Sequence, residues 1–167
     1  MLTMFDITIQ PLKRILTNLA TILKIGEAHA DAKKIEHSVF LNARLSPDMY
    51  PLTRQIQIAT DMSKGGAARL AGVEIPKYED NETSFADLQA RIAKTLAFID
   101  TIKPAQLEGS ENRDIVITVR KTELAFKGQD YLLNWVNPNV YFHVTTAYNI
   151  LRHNGVELGK PDFLGPK

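Results

Sequence analysis

Asn137–Gly155, NPNVYFHVTTAYNILRHNG, is the stretch around which the chain is organised. Pro138 suits the first turn of a helix, where its missing N–H has no partner to lose. Asn137 before it is a good N-cap, and Gly155 after His153 is a left-handed stop. The spacing predicts a helix over 138–154. Tyr141, Val144, Tyr148 and Leu151 recur at steps of three and four, so one apolar stripe should face a core. Asn139 and His143 lie four apart and therefore share a face one turn from the expected helix start. No other local arrangement in the sequence looks so much like a site.

Working outward, Leu12, Ile15, Leu16, Leu19, Ile22 and Leu23 make a second helical stripe. With Thr8 or Asp6 as cap and Pro11 in the first turn, it predicts a helix over 8–32. His29 falls one heptad beyond Ile22 and reads as a partly buried helix-end histidine, while His37 lies in the connector Ile35–Leu45. Ser46-Pro47-Asp48 signals another helix, expected over 48–71 and stopped by Gly72, with Leu52, Ile56, Ala59, Ser63, Gly66 and Leu70 as its stripe. Gly65-Gly66 in its interior costs roughly 1 kcal/mol per glycine relative to alanine, which calls for close approach of a neighbouring helix or marks a kink. Arg54, Gln57 and Asp61 project to one side of this helix, either as solvated surface or as part of a pocket.

Residues 72–83 are too long for a tight turn and suit a crossover along a helical bundle. Ser84 with Asp87 three residues on approximates a capping box, and Phe85, Leu88, Ile92, Leu96 and Ile99 complete a helix over 84–102. Helical periodicity then stops. Asp114–Val119 and Glu123–Phe126 are short β-rich runs separated by polar residues, a hairpin over 114–127 closed by Gly128. A lone two-stranded hairpin is marginal, so it must lie against the helices or pair with a second subunit. Four helices with apolar stripes, a long middle connection and a small hairpin describe an all-α four-helix bundle forming a single domain over 1–167.

Composition narrows the function. The 20 basic and 19 acidic residues nearly cancel and are scattered, so no electrostatic footprint for nucleic acid or an anionic membrane exists. The absence of cysteine removes disulfides, thiolate metal ligands and cysteine nucleophiles together. MLTMFDITIQPLKR carries its charge after its apolar residues and has no small-residue cleavage site, so a signal peptide is not expected and a cytoplasmic location is. Gly-rich phosphate loops and nucleophile-elbow motifs are missing, and Lys64-Gly65-Gly66 inside a helical run is neither.

Two blocks, LNARLSPDMYPLTRQIQIATD at Leu41–Asp61 and YFHVTTAYNILRHNGVELGKPDFLG at Tyr141–Gly165, resemble an uncharacterised bacterial branch of the DinB-like superfamily. The resemblance covers nearly the whole chain. It implies a four-helix bundle whose connection between the second and third helices crosses the bundle, often as a homodimer. It also implies a divalent metal, commonly zinc or nickel, held by one histidine on the second helix and two in an HxxxH on the fourth, with thiol-dependent transferases or isomerases among the relatives. On this chain His143 falls at the second histidine of HxxxH, Asn139 at the first, and Gln57 at the second-helix position. One imidazole and two amides are a poor zinc or nickel set, although Asp61 could add a carboxylate.

Two functions of different class follow. In the first, a non-enzymatic or small-ligand-binding homodimer carries a degenerate metal site between the second and fourth helices. There Gln57, Asn139 and His143 form a buried network in a pocket completed by Asp61 and Tyr148, with no cofactor. In the second, the chain is an enzyme in which His143 is the catalytic candidate, as general base or sole imidazole ligand, with Asp61 orienting it.

Overall fold

The structure, a computed structural model, describes residues 2–166. Helix α1 spans Met4–Lys33, starting earlier than the Pro11 signal suggested. Thr3 and Asp6 cap it reciprocally: the Asp6 N–H donates to the Thr3 hydroxyl at 3.2 Å and the Thr3 N–H donates to the Asp6 carboxylate at 3.0 Å. Thr8 is thus a buried helix residue and Pro11 lies within the helix. A short helix α2, His37–Leu41, lies within the connector Ile35–Leu45. Ser46–Met49 then form a turn, not a helix start. The Ser46 hydroxyl donates to Asp48 at 2.6 Å, so that carboxylate serves the turn, and α3 begins only at Leu52, after Pro51. It runs Leu52–Ala71 and stops at Gly72 with φ 68°, as a glycine stop requires.

From Gly72 the chain returns along α3 to Ser84, which caps α4, Phe85–Asp100, with Asp87 in the expected box. A four-residue helix α5, Pro104–Leu107, and one 3₁₀ turn, Ser110–Asn112, lead into strands β1, Asp114–Val119, and β2, Thr122–Lys127. They pair antiparallel with Asp114 opposite Lys127 and Val119 opposite Thr122. Arg120 and Lys121 make the two-residue turn with φ 48° and 72°, the left-handed geometry that lets the strands keep their twist. Ile115 and Ile117 face the core and Val116 faces out.

The last long helix corrects the sequence reading most. Helix α6, Gly128–Asp130, passes through a π turn, Tyr131–Val136, directly into α7, Asn137–His153. Asn137 is already helical at φ −60° and ψ −47°, and its N–H donates to the carbonyl of Leu132. It is no N-cap. Pro138 has no N–H to give the Asn134 carbonyl, and the widened turn just before it accommodates that loss. The opposite end behaves as expected, with Gly155 at φ 91°. A short helix α8, Lys160–Leu164, ends the described chain. Among the described residues no helix is long and apolar enough to cross a membrane.

The molecule is mostly helical with one small sheet. Side-chain contacts set the helix directions. Gly66 on α3 meets Val136, and Gln55 meets His143 a few turns on, so α3 and the last helix are antiparallel. Arg91 on α4 bonds Thr60 on α3, with the two helices parallel because the connector between them runs their length. Gln89 donates to Ala20 O on α1 and Asp100 pairs with Lys13, so α1 and α4 are antiparallel. The expected stripes are buried between these helices, with Leu16, Leu19, Ile56, Leu70, Leu88, Val144 and Leu151 fully covered. On α7 Tyr148 is only half-buried and Tyr141 is 39% exposed. Gly66 explains its own position: a Cβ there would sit 2.6 Å from a Val136 methyl, so the glycine permits the close approach. Gly65 faces the Arg69 side chain instead.

Candidate functional site

His143 is buried at the face of α7 that meets α3, and its Nδ1 lies 2.7 Å from Gln55 Oε1. The Gln55 amide N–H donates to Tyr50 O at 2.9 Å. A carbonyl only accepts, so this bond fixes the amide with its oxygen toward the imidazole. Nδ1 therefore carries the proton and donates, leaving Nε2 with a bare lone pair. Burial, aided by the nearby Arg54 charge, pushes the imidazole down to about 4, so the ring is neutral at physiological pH. Phe142 packs edge-on against it, ring centroids 5.2 Å apart.

The partners expected from sequence lie elsewhere. Asn139 donates its amide to Trp135 O, 2.7 Å away on its own helix. Tyr148 packs edge-on against Phe163 and donates its hydroxyl toward Leu158 O at 3.4 Å. Gln57 and Asp61 belong to a different constellation, on the face of α3 covered by the connector. Gln57 is buried on that face, while Arg54 and Asp61 each keep 37% of their side-chain surface exposed.

Arg91 organises this second constellation, its side chain fully buried. Its Nε donates to the Thr60 hydroxyl at 2.8 Å, Nη2 to Asp61 at 2.8 Å, and Nη1 to Glu82 at 2.8 Å and to Glu79 O at 3.1 Å, with Asp80 also 3.1 Å away. Lys64 pairs with Asp61 at 2.5 Å and Arg54 pairs with Asp80. Gln57 bridges the two ends, donating to Glu82 at 2.9 Å and accepting from Arg54 at 3.1 Å. Three cations thus meet three carboxylates, which is how the buried Arg91, Lys64 and Glu82 keep their charges. Burial alone would raise Glu82, but hydrogen bonds from Arg91 and Gln57 outweigh it and hold the carboxyl below its usual range. The Tyr78 ring, carried by the connector, lies 3.9 Å from Lys64 Nζ and 4.0 Å from Lys94 Nζ. Between α2, the start of α3 and the end of the connector lies a cavity of about 460 Å³, lined by Arg54, Gln57, Glu82, Ser38, Asn42 and Thr83 among others.

Sequence reasoning missed Gln55 and Arg91. Gln55 stands on the same face of α3 as Ala59 and Gly66, and a glycine read as a close approach already marks the face turned to a neighbouring helix. Arg91 offered no such signal, since a charge beside an apolar stripe ordinarily reaches water.

A family model described as a domain of unknown function, DUF1993, matches residues 4–164. The chain belongs to the DUF1993 family. Among solved structures, a DinB family member protein from Shewanella denitrificans is 41% identical, the match covering 98% of this chain and 92% of that one with a TM-score of 0.92. No curated protein matches. The DinB resemblance implied zinc or nickel, and the donors at His143 do not fit it. The imidazole gives one nitrogen to Gln55, the nearest amide is itself held by Tyr50 O, and Asn139 is bonded within its helix. Among the described residues no group of three His, Asp or Glu side chains could hold a metal ion. This DUF1993 chain has in that place a neutral hydrogen-bonded pair.

Proposed function

We propose that this DUF1993 chain is a non-enzymatic, metal-free binding protein of the DinB-like four-helix-bundle type, acting as a homodimer and taking a small polar ligand in the cleft of Arg54, Gln57 and Glu82. The observation that carries the reading is the cleft's lining. A guanidinium, an amide and a carboxylate, each fixed by the Arg91 network, line one cavity of a size suited to a metabolite. Such a set favours a zwitterion, its carboxylate toward Arg54 and its ammonium toward Glu82. Dimerisation is supported by the two open edges of the hairpin and the outward Val116.

The enzyme reading, with His143 as general base, has less behind it. An imidazole whose conjugate acid lies at about 4 holds a captured proton weakly at neutral pH. The test is metal analysis of protein purified without a histidine tag, followed by a thermal-shift screen with divalent ions, low-molecular-weight thiols and amino acids. The expected result is substoichiometric metal and stabilisation by a zwitterion that Glu82→Gln abolishes. Stoichiometric zinc or nickel, lost in His143→Ala, would overturn the reading.

A further inference from the structure

On the opposite flank from that cleft, α1, the side of α7 carrying Tyr141 and the C-terminal turn line a larger, open groove of about 650 Å³. Its apolar lining is Pro11, Ile15, Tyr141, Phe163 and Leu164, of which Tyr141 is 39% and Leu164 49% exposed. Arg14 stands at its edge. The Arg14 Nε and Nη2 donate to Leu164 O at 3.1 and 2.9 Å, and Nη2 also to Pro166 O at 3.1 Å. These are neutral carbonyls, so the guanidinium is fixed in place but keeps its charge, and no carboxylate pairs with it among the described residues. Of the other charged groups of the lining, Lys13 is paired with Asp100, while Asp6 caps α1 through Thr3 and keeps its own negative charge about two turns of α1 away from Arg14.

The turn that forms the far wall is held firmly. Asn18 donates its amide to Phe163 O at 2.9 Å, and Gly165 at φ 71° packs so close that a Cβ would lie 2.2 Å from Asn18 Oδ1. The groove therefore exists before any ligand arrives, which removes an ordering cost from binding.

We propose that this groove binds a small amphipathic carboxylate, its apolar tail covering Tyr141, Phe163 and Leu164 and its carboxylate meeting Arg14. An apolar trough with one positioned cation that pairs with no carboxylate among the described residues selects that class. A neutral amphiphile forfeits the charge-assisted bond, and a cationic one meets Arg14 as a like charge.

Titration of the full chain with sodium octanoate, 1-octanol and octylammonium, followed by calorimetry and amide NMR, tests this. The expected order is octanoate tightest and octanol about tenfold weaker, the worth of one charge-assisted hydrogen bond. Amide shifts should gather at residues 10–18, 141 and 163–166. Arg14→Gln should bring octanoate down to the octanol level. Because that variant also loosens the C-terminal turn, Thr17→Trp is the second arm: an exposed lining residue enlarged to fill the groove should remove binding of both probes while leaving thermal stability unchanged. Equal affinity for octanoate and octanol, shifts outside the groove, or undiminished binding in Thr17→Trp would each overturn the assignment.

Discussion

His143 makes a pH dependence that can be worked through. In the folded chain the imidazole sits at about 4, against 6.5 when exposed. Between those values the unfolded chain takes up a proton that the folded chain refuses. The folded value is the depressed one, so the stability linked to this group is fully present above pH 6.5 and is lost as pH falls toward 4. A displacement of about 2.5 units at 1.36 kcal/mol per unit gives about 3 kcal/mol. The assay is urea unfolding at pH 7.5 and 4.0 on the native chain and on His143→Gln, whose amide cannot titrate in this range. Carboxylates lower the stability of both proteins in acid, and the difference between the two losses isolates the imidazole. The native chain should lose about 3 kcal/mol more than the variant, and the His143 ring resonances should stay in their neutral positions down to about pH 5. Equal losses, or a ring that titrates near 6.5, would refute the argument.

Arg91→Met should cost about 3–5 kcal/mol, because it leaves Glu82 buried beside a single amide donor; adding Glu82→Gln should recover part of that, which chemical denaturation of the single and double variants checks. Hydrogen exchange of residues 72–84 should quicken in Arg91→Met, since that guanidinium fastens the connector. The carboxyl of Glu82 is held below its usual range, so its share of stability is present above that range and lost as pH falls through it, and Glu82→Gln should flatten the acid limb of the stability profile. Gly66→Ala should cost about 1–3 kcal/mol by pressing on Val136, with Val136→Ala restoring most of it in a double-mutant cycle. Lys121→Gly should raise the melting temperature modestly, by relieving a left-handed lysine worth about 1 kcal/mol, as calorimetry would register.

What could be read from the sequence was whatever rests on local spacing. The stripe Leu52, Ile56, Ala59, Ser63, Gly66 and Leu70 is buried as a stripe must be, Ser84 and Asp87 cap α4, and the hairpin falls at 114–127. Where two local signals competed, the stronger one misled. Asn137-Pro138 has every mark of a helix start, but the chain upstream was already helical, and a proline that suits a first turn also suits the far side of a π turn. Ser46-Pro47-Asp48 likewise made a turn of its own. The site was less legible for a different reason. Whether Gln55 or Gln57 reaches His143 depends on the rotation of α3 about its axis, about 200° for two residues, and the apolar stripe fixes that rotation too coarsely to choose. The burial of Arg91, Lys64 and Glu82 is set by a connector lying over them, a long-range contact that no window of sequence contains.

The widened turn at Tyr131–Val136 has a consequence for the hairpin that hangs from it. A π turn holds one more residue than the α turn it replaces, so it acts as a dial: everything on its N-terminal side is rotated by about 100° relative to an uninterrupted helix. The hairpin joins that side through Gly128, pressed against Ser110 O too closely for any Cβ. The flank on which the sheet lies is thus tied to the chain length between Gly128 and Pro138, and a single deletion there would turn β1 and β2 about the helix axis together with the core residues Tyr131 and Leu132.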